Sequence, residues 1–419
     1  MLLILSMITQ LSISLRGAPR ILALIFNFFN IQIKVPSWYT GRLWLMRLGF
    51  YSFQRSKVIA NDWIWIADHS VQIGQEKALL ILGIRQKDLP TDRPLGYKDL
   101  EPIDLFPVKK SNGDIVYEQL ESTINKTGVP LEIISDAGSD LKSGIDKFCQ
   151  THSETVSVYD IKHKTAALLK RELEHNEHWQ DFIALCSKTK SKGQQTELAF
   201  LMPPNQRSKA RYMNVDILIV WAKKALNFID DNSQSKKIDI KRINDYFGWL
   251  KGYRNLIDEW SDLQEIMGLA DHHVRTYGLS EKTYSHLEGD LNKLAISSGN
   301  DLMRTEILSF VNGECKKAEP GKCLLGSSEI IESIFGKQKL LERDQAKSGF
   351  TGLILSLASF TSDLSVEEIQ KAMETTSTKA IKEWAKEKIG TTVQSLRKSF
   401  LGQQKKGSNT EPIKYQAVT

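Results

Sequence analysis

Two aspartates in this 419-residue chain each follow an apolar run. Trp63-Ile64-Trp65-Ile66-Ala67 precedes Asp68, and Leu131-Glu132-Ile133-Ile134-Ser135 precedes Asp136, so each acid is expected where a buried strand ends and meets solvent. A third acid, Glu332, lies in Ser327-Ser328-Glu329-Ile330-Ile331-Glu332-Ser333-Ile334, where either serine can cap a helix whose isoleucines share one side. Carboxylates on separate elements suit hard Mg²⁺, with Mn²⁺ as a substitute, because such ions take oxygen ligands and keep several waters. Two such ions about 3.5–4 Å apart can activate a nucleophile and stabilise the leaving oxygen of a phosphodiester. Lys339 follows Glu332 by two helical turns on nearly the same face, with Lys337 close by, where an ammonium can hold a DNA phosphate.

Several elements must position these acids. The strand ending at Asp136 is followed by a short alternating strand beginning at Val156. Asp140 reads as the cap of the helix after Asp136, and Asp160 and His163 as the cap and start of the helix over 165–174, with DNA contact as the alternative. Residues 176–320 carry little strand signal and several helical patterns, over 179–187, 215–229, 238–263 and 280–296 and from Asp301. Within them Lys188-Thr189-Lys190-Ser191-Lys192 and Arg207-Ser208-Lys209-Ala210-Arg211 read as basic loops, and Lys236, Lys237, Lys241 and Arg242 flank a helix start. Ser365-Val366-Glu367-Glu368 matches a capping box, and the tail from Gly402 reads as disordered.

The net charge of +6 is modest, but its distribution is not. No Asp or Glu precedes Asp62, whereas Arg16, Arg20, Lys34, Arg42, Arg47, Arg55 and Lys57 do, which suits a polyanion bound with counterion release. A helix to about Ser14, a break over 15–19, a helix over 21–29 and a third opened by Pro36 or Ser37 and ended by Gly49 read as a helix-turn-helix. In the third helix, Leu43, Leu45, Met46 and Leu48 pack while Trp38, Tyr39, Arg42 and Arg47 face a groove. A membrane role is disfavoured, because neither apolar run near the start reaches about 18 uninterrupted residues. Cys149, Cys186, Cys315 and Cys323 have no zinc spacing, and His272-His273 reads as a surface or boundary pair. Trp221, Trp249 and Trp260 fall at core positions.

Over roughly residues 10–375, the order of these elements and acids resembles the DDE insertion-sequence transposases, and the resemblance places a hairpin partner over 76–85, a third strand over 101–108 and a helix over 114–126 between the two aspartates. The resemblance implies an α/β fold: a ribonuclease-H-like mixed sheet with flanking helices, a large all-helical insertion and an N-terminal helical DNA-binding region. The expected divisions are 1–57 for DNA binding, 58–175 and 321–375 for the two parts of the catalytic domain, 176–320 for the insertion, and 376–419 for a C-terminal helix and tail. Asp68, Asp136 and Glu332 match the family's metal-binding acids, with Glu329 the alternative for the third. Lys339 matches a lysine of one branch, whose usual tyrosine and arginine are here Leu325 and Ser328. The implied activity is Mg²⁺-dependent cleavage of element ends and strand transfer by a homo-oligomer on double-stranded DNA, in a prokaryotic cytoplasm and associated with the nucleoid. The alternatives are a nuclease of the same fold without strand transfer and a catalytically inactive DNA-binding relative.

Overall fold

The run that opens on Trp63 is apolar on both sides, the pattern of a strand buried on two faces. In the computed structural model, residues 1–71, 75–90, 92–205, 211–231, 240–343 and 350–407 are described. The strands are β1 (Trp63–Val71), β2 (Lys77–Arg85), β3 (Glu101–Val108), β4 (Glu132–Ser135) and β5 (Val156–Tyr159). β1 pairs antiparallel with β2 and parallel with β4, and β2 pairs antiparallel with β3. The order β3-β2-β1-β4-β5 makes a mixed sheet.

Helices α1 (Leu2–Thr9), α2 (Gly17–Phe28) and α3 (Trp38–Gln54) precede the sheet. The next two, α4 (Gly113–Thr127) and α5 (Ser139–Thr151), cover one face of it. There Trp63, Trp65, Ala67, Leu79, Ile81 and Ile133 pack against Val116 and Leu120 of α4 and Leu141, Ile145 and Phe148 of α5. Truncating Trp65 or Phe148 to alanine in such a core costs about 3–5 kcal/mol.

The chain divides into two compact units: Met1–Leu89, Leu95–Ser157 and Ser328–Thr419 form one, and Pro90–Pro94 with Val158–Ser327 the other. The second unit is helical, with α6 (Ile161–Leu173), α7 (Glu177–Gly193), α8 (Val215–Asp230), α9 (Ile240–Phe247), α10 (Arg254–Tyr277), α11 (Glu281–Lys293) and α12 (Asp301–Cys315). Its interior holds an aromatic cluster in which Trp179, Phe182, Tyr253 and Trp260 make stacked, edge and tilted contacts. The first unit resumes with α13 (Glu329–Arg343), a 3₁₀ segment Gly352–Phe360, α14 (Val366–Thr375), α15 (Thr378–Trp384) and α16 (Val393–Gly407). The first 57 residues belong to this same unit, where α3 runs along the 3₁₀ segment and packs on α14 and α15.

Several boundaries differ from the sequence reading. α1 ends at Thr9, and Gly17-Ala18-Pro19 opens α2 instead of breaking the chain, because proline is tolerated in a first helical turn. α3 runs through Gly49 to Gln54; a Cβ at Gly49 would lie 1.8 Å from the Leu355 carbonyl oxygen, so this glycine serves close packing and not termination. Lys188–Lys192 is not a loop but the end of α7, where lysines suit both helix propensity and the helix dipole. The pattern over 238–263 is interrupted by a 3₁₀ segment, Gly248–Tyr253, whose two glycines weaken an α-helix. α16 extends to Gly407, past the expected start of disorder at Gly402. The basic residues Arg207, Lys209, Lys236 and Lys237, and the tail from 408, lie outside the described residues.

Candidate active site

The parallel ladder between β1 and β4 pairs Ile64 with Glu132, Trp65 with Ile133 and Ile66 with Ile134. The ladder ends there: Asp68 lies two residues beyond Ile66 and Asp136 two beyond Ile134, each past the last paired position. Asp68 does not end β1. The strand continues to Val71 through its antiparallel pairing with β2, so only the β4 side of Asp68 opens beyond the ladder. By alternation Asp68 shares a face with Ile64 and Ile66, opposite the side packed by α4 and α5. Its Oδ1 accepts from the His69 amide at 2.6 Å.

Asp136 follows β4 directly, and its Oδ1 accepts from the Gly138 amide at 2.8 Å. Ala137 between them has φ of 54°, the left-handed conformation that lets the carboxylate reach the amide two residues on. Asp140 is therefore not the helix cap; α5 has Gly138 at that position with no side-chain cap. Instead Asp140 accepts from Lys77 Nζ at 2.7 Å and lies 3.7 Å from His69 Nδ1. Burial alone would raise the Asp140 carboxyl, but hydrogen bonds from Lys77 and Ser111 bring it down to about 2. Burial pushes His69 down to about 4 against the pull of Asp140, so the imidazole is neutral at pH 7. Buried His69 and half-buried Lys77 and Asp140 tie together the end of β1, the start of β2 and the first turn of α5. Sequence reading assigned the group no role. The signals were the adjacency of Asp68 and His69 and a lysine opening the β2 run.

Glu332 is half-buried on α13, which packs on β1 and buries Ile331, Ile334, Phe335, Gln338 and Leu341. Glu329, the alternative, is half-buried one turn earlier. Lys339 is exposed. Lys337 has a different setting from the phosphate contact expected of it: its Nζ donates to the Thr9 carbonyl at 2.9 Å and sits 4.0 Å from the Tyr97 ring centroid. Burial lowers its pKa.

In α3, Arg47 Nε donates to the Thr376 carbonyl at 2.5 Å and Nη2 to that of Met373, so its guanidinium caps the end of α14 and does not face a groove. Arg42 is half-buried, and burial lowers its pKa. Arg55 and Lys57 both pair with Glu101, at 2.5 and 2.7 Å. Of the basic residues before Asp62, Arg16, Arg20 and Lys34 are exposed.

In the second unit, Asp160 caps α6 by accepting from the His163 amide at 2.8 Å. His273 is buried, against the expected surface placement, with Nε2 3.1 Å from Asp290 Oδ2. Trp260 is buried as expected. No helix among the described residues is long and apolar enough to cross a membrane.

Asp68, Asp136 and Glu332 present only carboxylate oxygens, a donor set that fits Mg²⁺ or Mn²⁺. The two aspartates stand two residues past the last pair of the β1–β4 ladder, and the Glu332 helix packs on β1. Among the described residues, no group of three or more His, Cys, Asp or Glu side chains is gathered closely enough to hold a metal ion. No protein-family model matches the sequence, and a search of curated proteins returns no relative.

Proposed function

We propose that the chain is a metal-dependent DNA transposase of the DDE type, with a ribonuclease-H-like catalytic core. The observation that carries this reading is that Asp68 and Asp136 each stand two residues past the last pair of the parallel β1–β4 ladder, inside a sheet of order β3-β2-β1-β4-β5. The packing of α13 on β1 supports Glu332 as the third acid. Drawn closer together than they stand here, these residues would hold Mg²⁺ or Mn²⁺, which when bound supplies a Lewis acid for activating an oxygen nucleophile and stabilising a leaving oxygen.

The chain's own part is placement. Asp68 is held by both its ladder and its amide bond, Asp136 by the turn at Ala137, and neutral His69 adds no positive charge beside the carboxylates. Water and then a DNA 3′-hydroxyl serve as successive nucleophiles, so no covalent bond between protein and DNA is required. Arg16, Arg20, Lys34 and Lys339 are among the exposed cations available for phosphate contacts. Double-stranded DNA carrying element ends is the substrate, handled by more than one copy.

The test is incubation of the purified chain with DNA bearing the sequences that flank its reading frame, with Mg²⁺ or EDTA, comparing wild type with Asp136→Asn. Metal-dependent cleavage and end joining that vanish in the variant support the reading. Cleavage without joining makes the chain a nuclease. Binding without cleavage by the wild type makes it an inactive relative.

A further inference from the structure

We propose that the exposed apolar face of α2 is a contact surface between two copies of this chain. The helix has two apolar sides. Ala18, Pro19 and Leu22 are buried within the fold. Ile21, Leu24, Ile25 and Phe28, at the i, i+3, i+4, i+7 spacing of a packed helix face, remain in water, with Leu24 70% and Phe28 80% exposed. Phe29 and Ile33, 65% and 64% exposed, continue apolar surface beyond the helix end.

The size of this surface bears on what covers it. Together these six side chains present roughly 600–700 Å² of apolar surface, at or above the largest patch usual on a monomer and near the ~800 Å² that each partner contributes to a stable interface. The surrounding charge bears on it as well. No acid occurs before Asp62, and Arg20 lies beside the N-terminal end of the stripe. A polyanion would engage Arg16, Arg20 and Lys34 and leave the stripe wet, whereas a second copy covers it.

Two copies related by a twofold axis, with their α2 helices antiparallel, lay Phe28 of one over Ile21 of the other. That arrangement keeps the arginine-bearing ends apart and opposes the helix dipoles. The inference rests on exposure and spacing alone and is independent of the transposase reading.

The test is sedimentation equilibrium of the full chain, freed of nucleic acid, comparing wild type with the double variant Leu24→Glu/Phe28→Glu. Leu396→Glu serves as control, since Leu396 is 59% exposed on α16. The expected result is a wild-type dimer that persists when salt is raised several-fold. Its dissociation constant rises at least about tenfold in the double variant, as for loss of interface anchors, and is unchanged in the control. All three proteins should keep the same far-UV circular dichroism. A wild type that stays monomeric overturns the proposal, as does a double variant that dimerises like wild type or a dimer that the control substitution abolishes. A second measurement avoids charged substitutions: Leu24→Cys should give a covalent dimer with a short bis-maleimide, and a yield no higher than that of wild type overturns the proposal too.

Discussion

Gly49→Ala puts a steric argument and a propensity argument in opposition. By helix propensity alone, alanine in the interior of α3 should stabilise the chain by about 0.5–1 kcal/mol. The packing reverses the sign. An alanine Cβ would lie 1.8 Å from the Leu355 oxygen, 2.7 Å from its carbonyl carbon and 3.0 Å from Ser359 Oγ. A carbon–oxygen contact needs about 3.3 Å, so α3 and the 3₁₀ segment must separate by more than about 1 Å. That movement strains the buried hydrogen bond from Ser359 Oγ to the Leu45 carbonyl, at 2.7 Å, and the Ser52–Ser362 hydroxyl pair, at 2.6 Å.

Overpacking costs about 1–3 kcal/mol and a lost hydrogen bond about 0.5–1.5, so the net loss is about 0.5–4 kcal/mol, centred on ~2, after the propensity gain. For a unit of this size the central value lowers the melting temperature by roughly 4–8 °C. The assay is a thermal scan of wild type, Gly49→Ala and Gly336→Ala. Gly336 is a helical glycine in the same unit, and a Cβ there meets nothing within 4 Å. The control should gain about 0.5–1 kcal/mol. If both variants are stabilised alike, the packing of α3 against the 3₁₀ segment is refuted.

Arg47→Met should destabilise the first unit by about 1–3 kcal/mol through the uncapped α14 carbonyls and leave DNA affinity unchanged; Arg20→Ala should do the reverse, lowering affinity and reducing the salt slope by about one. Salt-dependent gel shifts and thermal scans on both proteins check the contrast. The Asp140 carboxyl, at about 2 when folded against 3.8 as its ordinary value, contributes stability that is present above about pH 4 and lost as the pH falls toward 2. Asp140→Asn should therefore be less stable than wild type at pH 7, with the gap closing in acid; a gap that does not change with pH would mean the carboxylate's charge contributes nothing. Asp160→Ala removes the α6 cap and should cost about 0.5–2 kcal/mol in a thermal scan, with a glycine variant recovering most of that loss.

The strands that lead to the two aspartates were legible in the sequence because continuous apolar runs of this length around Trp63 and Ile133 mark strands buried on two faces. The third strand, implied by the family resemblance at 101–108, is where β3 lies. Capping was legible for the same local reason: Asp160 and Ser365 each bond an amide three residues on.

What a side chain meets at long range was not legible. Arg47 looked like a groove residue because its spacing places it on a helix face, but spacing cannot say which face a neighbouring helix covers, and α14 covers this one. Lys337 met Tyr97 and the Thr9 carbonyl for the same reason, and Gly49 signalled a helix end where the tertiary fold needed room for Leu355. The acids show the same division. Their residue type and the apolar runs before them are local facts of the sequence. That β1 and β4, the strands leading to Asp68 and Asp136, lie side by side, and that His69, Lys77 and Asp140 come together, follows from the pairing of residues far apart in the chain, which only the folded sheet decides.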